Sequence, residues 1–431
     1  MQKRVAVLIR VVTAGGVFAA VLIPVPVAGQ AVAPACAADN AGLTVPSGFC
    51  AVMVADKVGR ARHLVVAPNG DVIVALARPE NGEGGVLVLR DANGDGMAEQ
   101  QQRFASGTGN GIALAEGYLY YATNDAVVRF PWRAGAMEPG GPGDPIVGGL
   151  PADRNHRAKT IALGAGNALY VNVGSPTNSC QVQDRTAGSP GQDPCPDLAM
   201  RAGIWRFDAA RRGQTQADGM RFATGMRNSV ALAIRPQDGA LYAAVHGRDN
   251  LFQNWASVGY DETASAEKPA EIFVRVAQGD DFGWPYCYFD PQTKVNVLAP
   301  EYGGDGRATG RCTEKKSPLI GFPGHWAPNG LLFYSGTQFP ERYRGGAFIA
   351  FHGSWNRAPL PQAGYNVVFV PFRGNEPTGQ WDVFADSFAG DNKSPGAPHR
   401  PVGVAQGPDG SLYVSDDSGG RIYRIVYRGA R

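Results

Sequence analysis

Ala233-Ile-Arg-Pro-Gln-Asp-Gly-Ala-Leu-Tyr242 reads as a strand, a tight turn and a second strand. The same pattern recurs along the chain: a Gly-containing turn, then alternating apolar residues around an aromatic or β-branched one. Its copies centre on Ile73, Tyr120, Tyr170, Tyr242, Ile349 and Tyr413. Most follow an apolar strand, as in Leu64-Val-Val-Ala67 and Val402-Gly-Val-Ala405. Several precede another, as in Val86-Leu-Val-Leu89, Ile204-Trp-Arg-Phe207 and Ile422-Tyr-Arg-Ile425. About four strands and roughly 40 to 50 residues per unit is the signature of a propeller blade. Six copies predict an all-β fold, a six-bladed β-propeller. The spacings between copies are 47, 50, 72, 107 and 64 residues. The long spacings predict insertions after blades three, four and five, on one face, where such insertions build binding sites.

The 431 residues carry 40 Lys+Arg against 38 Asp+Glu, a net charge of +2. That balance gives no large single-sign field and no argument for nucleic acid. The 58 Gly and 32 Pro are scattered without period, which suits many short strands joined by turns. Residues 1 to about 30 read as an export signal, with Lys3, Arg4 and Arg10 ahead of an apolar run from Val11 to Val27. The expected location is periplasmic or secreted, without stable membrane insertion after cleavage. The propeller domain is expected over 43–428. An even count of six cysteines in an exported chain suggests disulfides. Sequence neighbours give the shortest loops: Cys36 with Cys50, Cys180 with Cys195, Cys287 with Cys312. The absence of Cys-x-x-Cys argues against a zinc or redox site.

Polar clusters gather at strand ends. His156 opens an inner strand and is placed to act as a general base near neutral pH. Arg227 and Asn228 precede the strand Val230 to Ile234; an Arg there pairs with carboxylates or steadies a developing oxyanion. His246-Gly247-Arg248-Asp249 ends a strand, and carbonyls beside a Gly suit a hard cation such as calcium. His325-Trp326 and His352-Gly-Ser-Trp-Asn-Arg357 bracket blade five, mixing indole and imidazole in a way that fits a polar ring-shaped ligand. Trp284 reads as packing or pocket wall. Asp91-Ala-Asn-Gly-Asp-Gly96 resembles half an EF-hand loop, but its twelfth position is Gln102, so it reads as a hairpin turn. Neither a Gly-x-Gly-x-x-Gly dinucleotide turn nor a Gly-x-Ser-x-Gly elbow supports other enzyme classes.

Six stretches together resemble the soluble quinoprotein sugar dehydrogenases, most of all the L-sorbosone dehydrogenase branch. They are Ala61-Arg-His-Leu-Val-Val-Ala-Pro-Asn-Gly70, Asn155-His156, Gly225-Met-Arg-Asn228, Phe282-Gly-Trp-Pro285, His325-Trp-Ala-Pro-Asn-Gly330 and His352-Gly-Ser-Trp-Asn-Arg357. The likeness runs from about Leu43 to Tyr427. It implies pyrroloquinoline quinone (PQQ) and calcium as cofactors, an aldose or sugar aldehyde as substrate, and a lactone or sugar acid as product. Electrons would then pass to an acceptor outside the chain. By position, the resemblance implies His156 as catalytic base, with Arg227 and Asn228 contacting the quinone. It puts His246 in the quinone pocket and calcium on the backbone carbonyls of Gly247 and Arg248. Arg400 matches one of two arginines that bind the cofactor's carboxylates. Trp326, His352 and Arg357 complete the expected cofactor contacts. The chain departs from the family pattern at Pro398, where the second arginine falls, and near Ser354, where a lysine falls. Arg357 is the candidate replacement for that charge. Two other readings stay open: a non-catalytic propeller that binds a sugar or a partner, and a calcium-dependent lactonase or esterase propeller.

Overall fold

The computed structural model describes residues 35–77, 84–153 and 155–429. The expected export signal lies outside them. Besides two small hairpins, six sheets of four or five strands, mainly antiparallel, follow one another along the chain. The second strand of each holds one predicted repeat: Val72–Ala77, Tyr118–Thr123, Ala168–Val173, Leu241–Val245, Ala347–Phe351 and Leu412–Asp416. In the opening decapeptide, Ala231–Ile234 pairs with Leu241–Val245 across a turn whose left-handed position is taken by Gly239 at φ 66°. All five residues of Leu241–Val245 are buried, because a blade's second strand is covered on both faces by its neighbours. The predicted all-β six-bladed propeller is therefore what the chain forms.

Each first strand donates one apolar residue to a central channel: Leu64, Ile112, Ile161, Leu232, Leu331 and Val404. The main core lies between blades. Tyr242, Phe273 and Phe322 of blade four pack with Leu331, Phe333 and Phe351 of blade five. The ring closes by pairing Phe49–Ala55 antiparallel with Ile422–Tyr427, so that blade six is built from both ends of the propeller. Phe49 meets Phe339, Tyr343, Phe384 and Tyr427 at ring-centroid distances of 4.8, 5.4, 5.1 and 4.9 Å. Phe49→Ala should cost about 3 kcal/mol of stability, read as a lower urea midpoint with an unchanged m-value.

The insertions lie inside the repeats rather than only after them. Residues 174–202 and 246–270 join the second and third strands of blades three and four, and 352–365 do so in blade five. Another, 277–319, joins the third and fourth strands of blade four. It returns along blade three, where Asp280 and Asp281 pair in parallel with Ala223 and Thr224. All three neighbouring cysteine pairs form disulfides, and each ties one Gly- and Pro-rich segment. The Asp91 segment is a turn, its carboxylate accepting from the Gly94 and Gly96 N–H groups at 2.6 and 2.7 Å. Among the described residues, no helix is long and apolar enough to cross a membrane.

Candidate active site

First strands begin and second strands end on the same face of the ring, so residues at both kinds of end converge there. His156 lies in the connection before Ile161–Gly164, at a left-handed φ of 52°. Two basic side chains brace that connection. Arg201 donates to the Asp153 carboxylate at 2.8 Å and to the Asp153 and Asn155 carbonyls at 3.1 Å. Lys159 Nζ donates to the Pro151 and Arg157 carbonyls at 2.8 and 2.6 Å. Gly174, where blade three's second strand ends, leaves room for the imidazole: a Cβ there would lie 2.5 Å from the His156 Cβ.

The His156 Nδ1 lies 2.8 Å from the Ser175 carbonyl. A carbonyl only accepts, so Nδ1 carries the hydrogen and Nε2 keeps its lone pair. Burial, reinforced by the nearby Arg227 charge, holds the imidazole pKa well below its ordinary value. His156 is therefore a neutral base whose free nitrogen is fixed.

Arg227 bonds four of its five N–H groups within the protein, which leaves one on Nη1. Its Nη1 donates to the Gly247 carbonyl at 2.7 Å, and its Nη2 to Asp249 at 3.0 Å. Its Nε and Nη2 reach the carbonyl and the side chain of Asn178, each at 3.1 Å. Asp249 also takes Arg185 at 3.0 Å and Asn356 at 2.9 Å, and its Oδ1 lies 3.6 Å from His325 Nδ1. Burial opposes charge on Asp249, but Arg227, His325 and Arg185 reverse that and hold its pKa well below the usual range. Burial likewise opposes charge on His325, and Asp249 raises its pKa in spite of it.

Glu271, at the start of blade four's third strand, accepts from the Gly247 and Ala327 N–H groups at 2.8 and 3.2 Å. Burial raises its pKa to about 7, and no ion pair with a cation is found for it among the described residues. His246 Nε2 donates to the Pro328 carbonyl at 2.9 Å, and burial lowers its pKa to about 4. His156, Arg185, Arg227, His246, Asp249 and Glu271 line one cavity of about 210 Å³, with Gly247, His325 and Trp355 also on its wall.

Of the residues singled out from sequence, His156, Arg227, His246 and Gly247 meet in this cavity. His325, quoted beside Trp326, lines it too, whereas Asn228, Arg248, Trp326, His352, Arg357 and Arg400 do not. Asn228 lies beneath His156, where its side-chain oxygen accepts from Asn172 at 3.5 Å. The Arg248 side chain points to Glu301 and pairs with it in the interior. Trp326 packs edge-on against Phe351 and Trp381 in the blade four–five core. Arg357 donates to the Ala266, Gly324 and Pro361 carbonyls and pairs with Glu267. Arg400 donates to the His352, Gly353 and Pro395 carbonyls, and His352 lies 2.7 Å from Asp417. Local composition could not separate a guanidinium facing the cavity from one bonded to backbone. Arg185, Asp249 and Glu271 were missed. The one signal for Asp249 was its place directly after His246-Gly247-Arg248.

A six-bladed propeller with a charged cavity on its loop-bearing face defines the class. The TrAA12-like family model matches residues 43–428, and the chain belongs to that family. A PQQ-dependent sugar dehydrogenase from Hypocrea jecorina is 23% identical over 414 residues, covering 89% of this chain and 86% of that protein. A PQQ-dependent pyranose dehydrogenase from Coprinopsis cinerea is 26% identical over 232 residues, covering 47% of this chain and 30% of that protein. The chain spans 48% or less of the length of the first curated relatives it matches. The calcium structure of a Trichoderma reesei enzyme of carbohydrate-active family AA12 superposes with a TM-score of 0.74. It is 20% identical and covers 93% of this chain and 99% of that one, a likeness of fold.

Proposed function

We propose that this protein is an exported quinoprotein dehydrogenase that oxidises an aldose or a sorbosone-like sugar aldehyde to a lactone or sugar acid. The observation that carries the reading is the pairing, in one cavity, of a neutral His156 with a free Nε2 and a buried set of hard oxygen donors. The relatives' names supply PQQ and sugar, and a neighbour's supplies calcium. Three disulfides favour an oxidising compartment.

The donor set fits the cofactors. Asp249, Glu271 and the Gly247 carbonyl are all oxygen, which suits calcium; the Arg248 carbonyl extends the set as the family pattern implies. The Gly247 oxygen accepts from Arg227 and keeps a second lone pair. With its side chain held by Glu301, Arg248 presents no charge to the metal. Arg185 and Arg227 would face the cofactor's carboxylates. When bound, PQQ supplies a two-electron hydride acceptor, polarised by calcium as a Lewis acid.

His156 Nε2 takes the proton from the substrate hydroxyl, or from the hydroxyl of a hydrated aldehyde. The Ser175 carbonyl holds Nδ1–H and steadies the imidazolium that forms. Arg227 fixes Gly247 and Asp249 in place, and Trp355, about half exposed on the rim, is placed to stack on a sugar ring. The central channel, on which the described residues place no carboxylate, counts against the lactonase reading, which needs carboxylates around the axis.

Reconstitution with PQQ and calcium, followed by dye reduction over a panel of aldoses and sugar aldehydes, tests the proposal. Sugar-dependent reduction requiring both additives, and abolished by a chelator, is expected. The engagement of Arg357 and Arg400 with backbone favours one rival, a non-catalytic sugar-binding propeller. Absence of quinone binding by a folded chain would establish that rival. The lowered His156 pKa also fixes the sign of the pH dependence: kcat/KM should stay level from pH 8 to about 6.5 and fall only in more acid solution. With calcium saturating, so that Glu271 is held ionised, a limb near or above pH 7 would remove the base from His156.

A further inference from the structure

A second cavity, of about 250 Å³, opens on the same face over blades one to three. Arg60, Arg62, Thr108, Asn110, Asn124 and Arg157 line it, with Asp417 at its edge. Residues 155–158 are the partition between the two cavities. Asn155 and His156 line the first, and Arg157 and Ala158 line the second. His156 and Arg157 are consecutive, so their Cα atoms lie about 3.8 Å apart and the two cavities are immediate neighbours.

The second cavity has a surplus of positive charge. Arg62 is held by Asp417 at 2.6 Å and by Asn110 at 2.8 Å, which uses the one carboxylate that the described residues place on the wall. Asp417 also takes His352. Arg60 and Arg157 are exposed, and neither makes a side-chain hydrogen bond or ion pair with any described residue. Asn124 and Thr108 offer neutral groups of the kind that bond sugar hydroxyls.

We infer that this cavity binds the carboxylate of an acidic sugar, so that the substrate class is a uronate or related aldehydo-acid rather than a neutral aldose. The inference rests on the dehydrogenase reading, since it names the substrate of the same face. A guanidinium takes a carboxylate through paired hydrogen bonds, which a neutral hydroxymethyl group cannot replace. A sugar with its reacting carbon at His156 then directs its acid group across the partition to Arg157 and Arg60. Exposure of these two arginines makes the contribution a matter of selectivity, weakened by salt.

Calorimetric titration of the purified chain with D-glucuronate and with D-glucose, before and after loading with PQQ and calcium, tests it. Native protein is expected to bind glucuronate about tenfold tighter than glucose. Arg60→Ala with Arg157→Ala should erase that preference, leave glucose binding unchanged and remove its salt dependence. Both side chains are on the surface, and an unchanged thermal transition would show the fold intact. Equal binding of the two sugars by native protein overturns the inference, as does a preference that survives both substitutions. A separate quinone titration keeps the two readings apart. Failure of PQQ to bind, with the glucuronate preference present, removes the dehydrogenase and leaves the acid-sugar site. A quinone affinity that falls in the double variant assigns the cavity to the cofactor and overturns the site.

Discussion

His156→Ala is expected to lower kcat by about a hundred- to ten-thousand-fold while quinone affinity stays within about twofold. The imidazole stands in the cavity, so its removal leaves the apolar core untouched. What is lost is the one nitrogen whose lone pair is directed by the Ser175 carbonyl. Arg201 and Lys159 hold the connection by its backbone, so the loop keeps its course without the ring. Steady-state dye reduction and quinone titration, run on the same preparation, separate the two effects. The acid limb of the native pH profile should vanish with the side chain. Unchanged turnover would mean that the proton leaves by another route.

Asp249→Ala should destabilise the fold by about 3 to 5 kcal/mol, because it strips the counter-charge from a buried cluster. One carboxylate serves Arg227 and Arg185 and faces His325. Without it, Arg227, which is 4% exposed, keeps a charge with no carboxylate bonded to it. The sign of the pH dependence follows from the shifts. Asp249 has a depressed folded pKa, so its stabilisation is present above the unfolded carboxylate value and is lost only in strong acid. His325 has a raised one, so its share is present below about pH 6.5 and is lost as pH climbs through the folded value. The variant should lack both dependences. Urea unfolding at pH 5, 7 and 9 reads this directly, and an unshifted midpoint at pH 7 would show that water or another group neutralises the arginines.

The ring was legible because each blade's second strand joins a Gly turn to a doubly buried apolar run, and both features are local. Tyr120, Tyr170, Tyr242 and Tyr413 each fell on a second strand for that reason. The places of the insertions were not legible. A spacing between second strands does not say whether extra residues sit within a blade or after it, and in blades three and four they sit within. The site divided along similar lines. His156, Arg227 and His246 stand beside strand ends, where a polar side chain among apolar neighbours is conspicuous. Glu271 opens an ordinary strand, and only burial against the Gly247 N–H gives it meaning. Arg185 lies in a loop without periodicity, between two cysteines. Arg357 and Arg400 have the composition of anion ligands, yet their forks close on carbonyls that tertiary folding brings near.

The seam of the ring sets an order on biosynthesis. Phe49–Ala55 is made before the other strands of the ring, but its partner Ile422–Tyr427 is made after all of them. Through most of translation the early strand presents an open β edge and an uncovered Phe49, which together invite pairing with another chain. Cys36 and Cys50 are both made early, so their disulfide can fold that segment on itself while it waits. A nascent chain stopped before Ile422 would keep the material of five blades and still have no closed propeller.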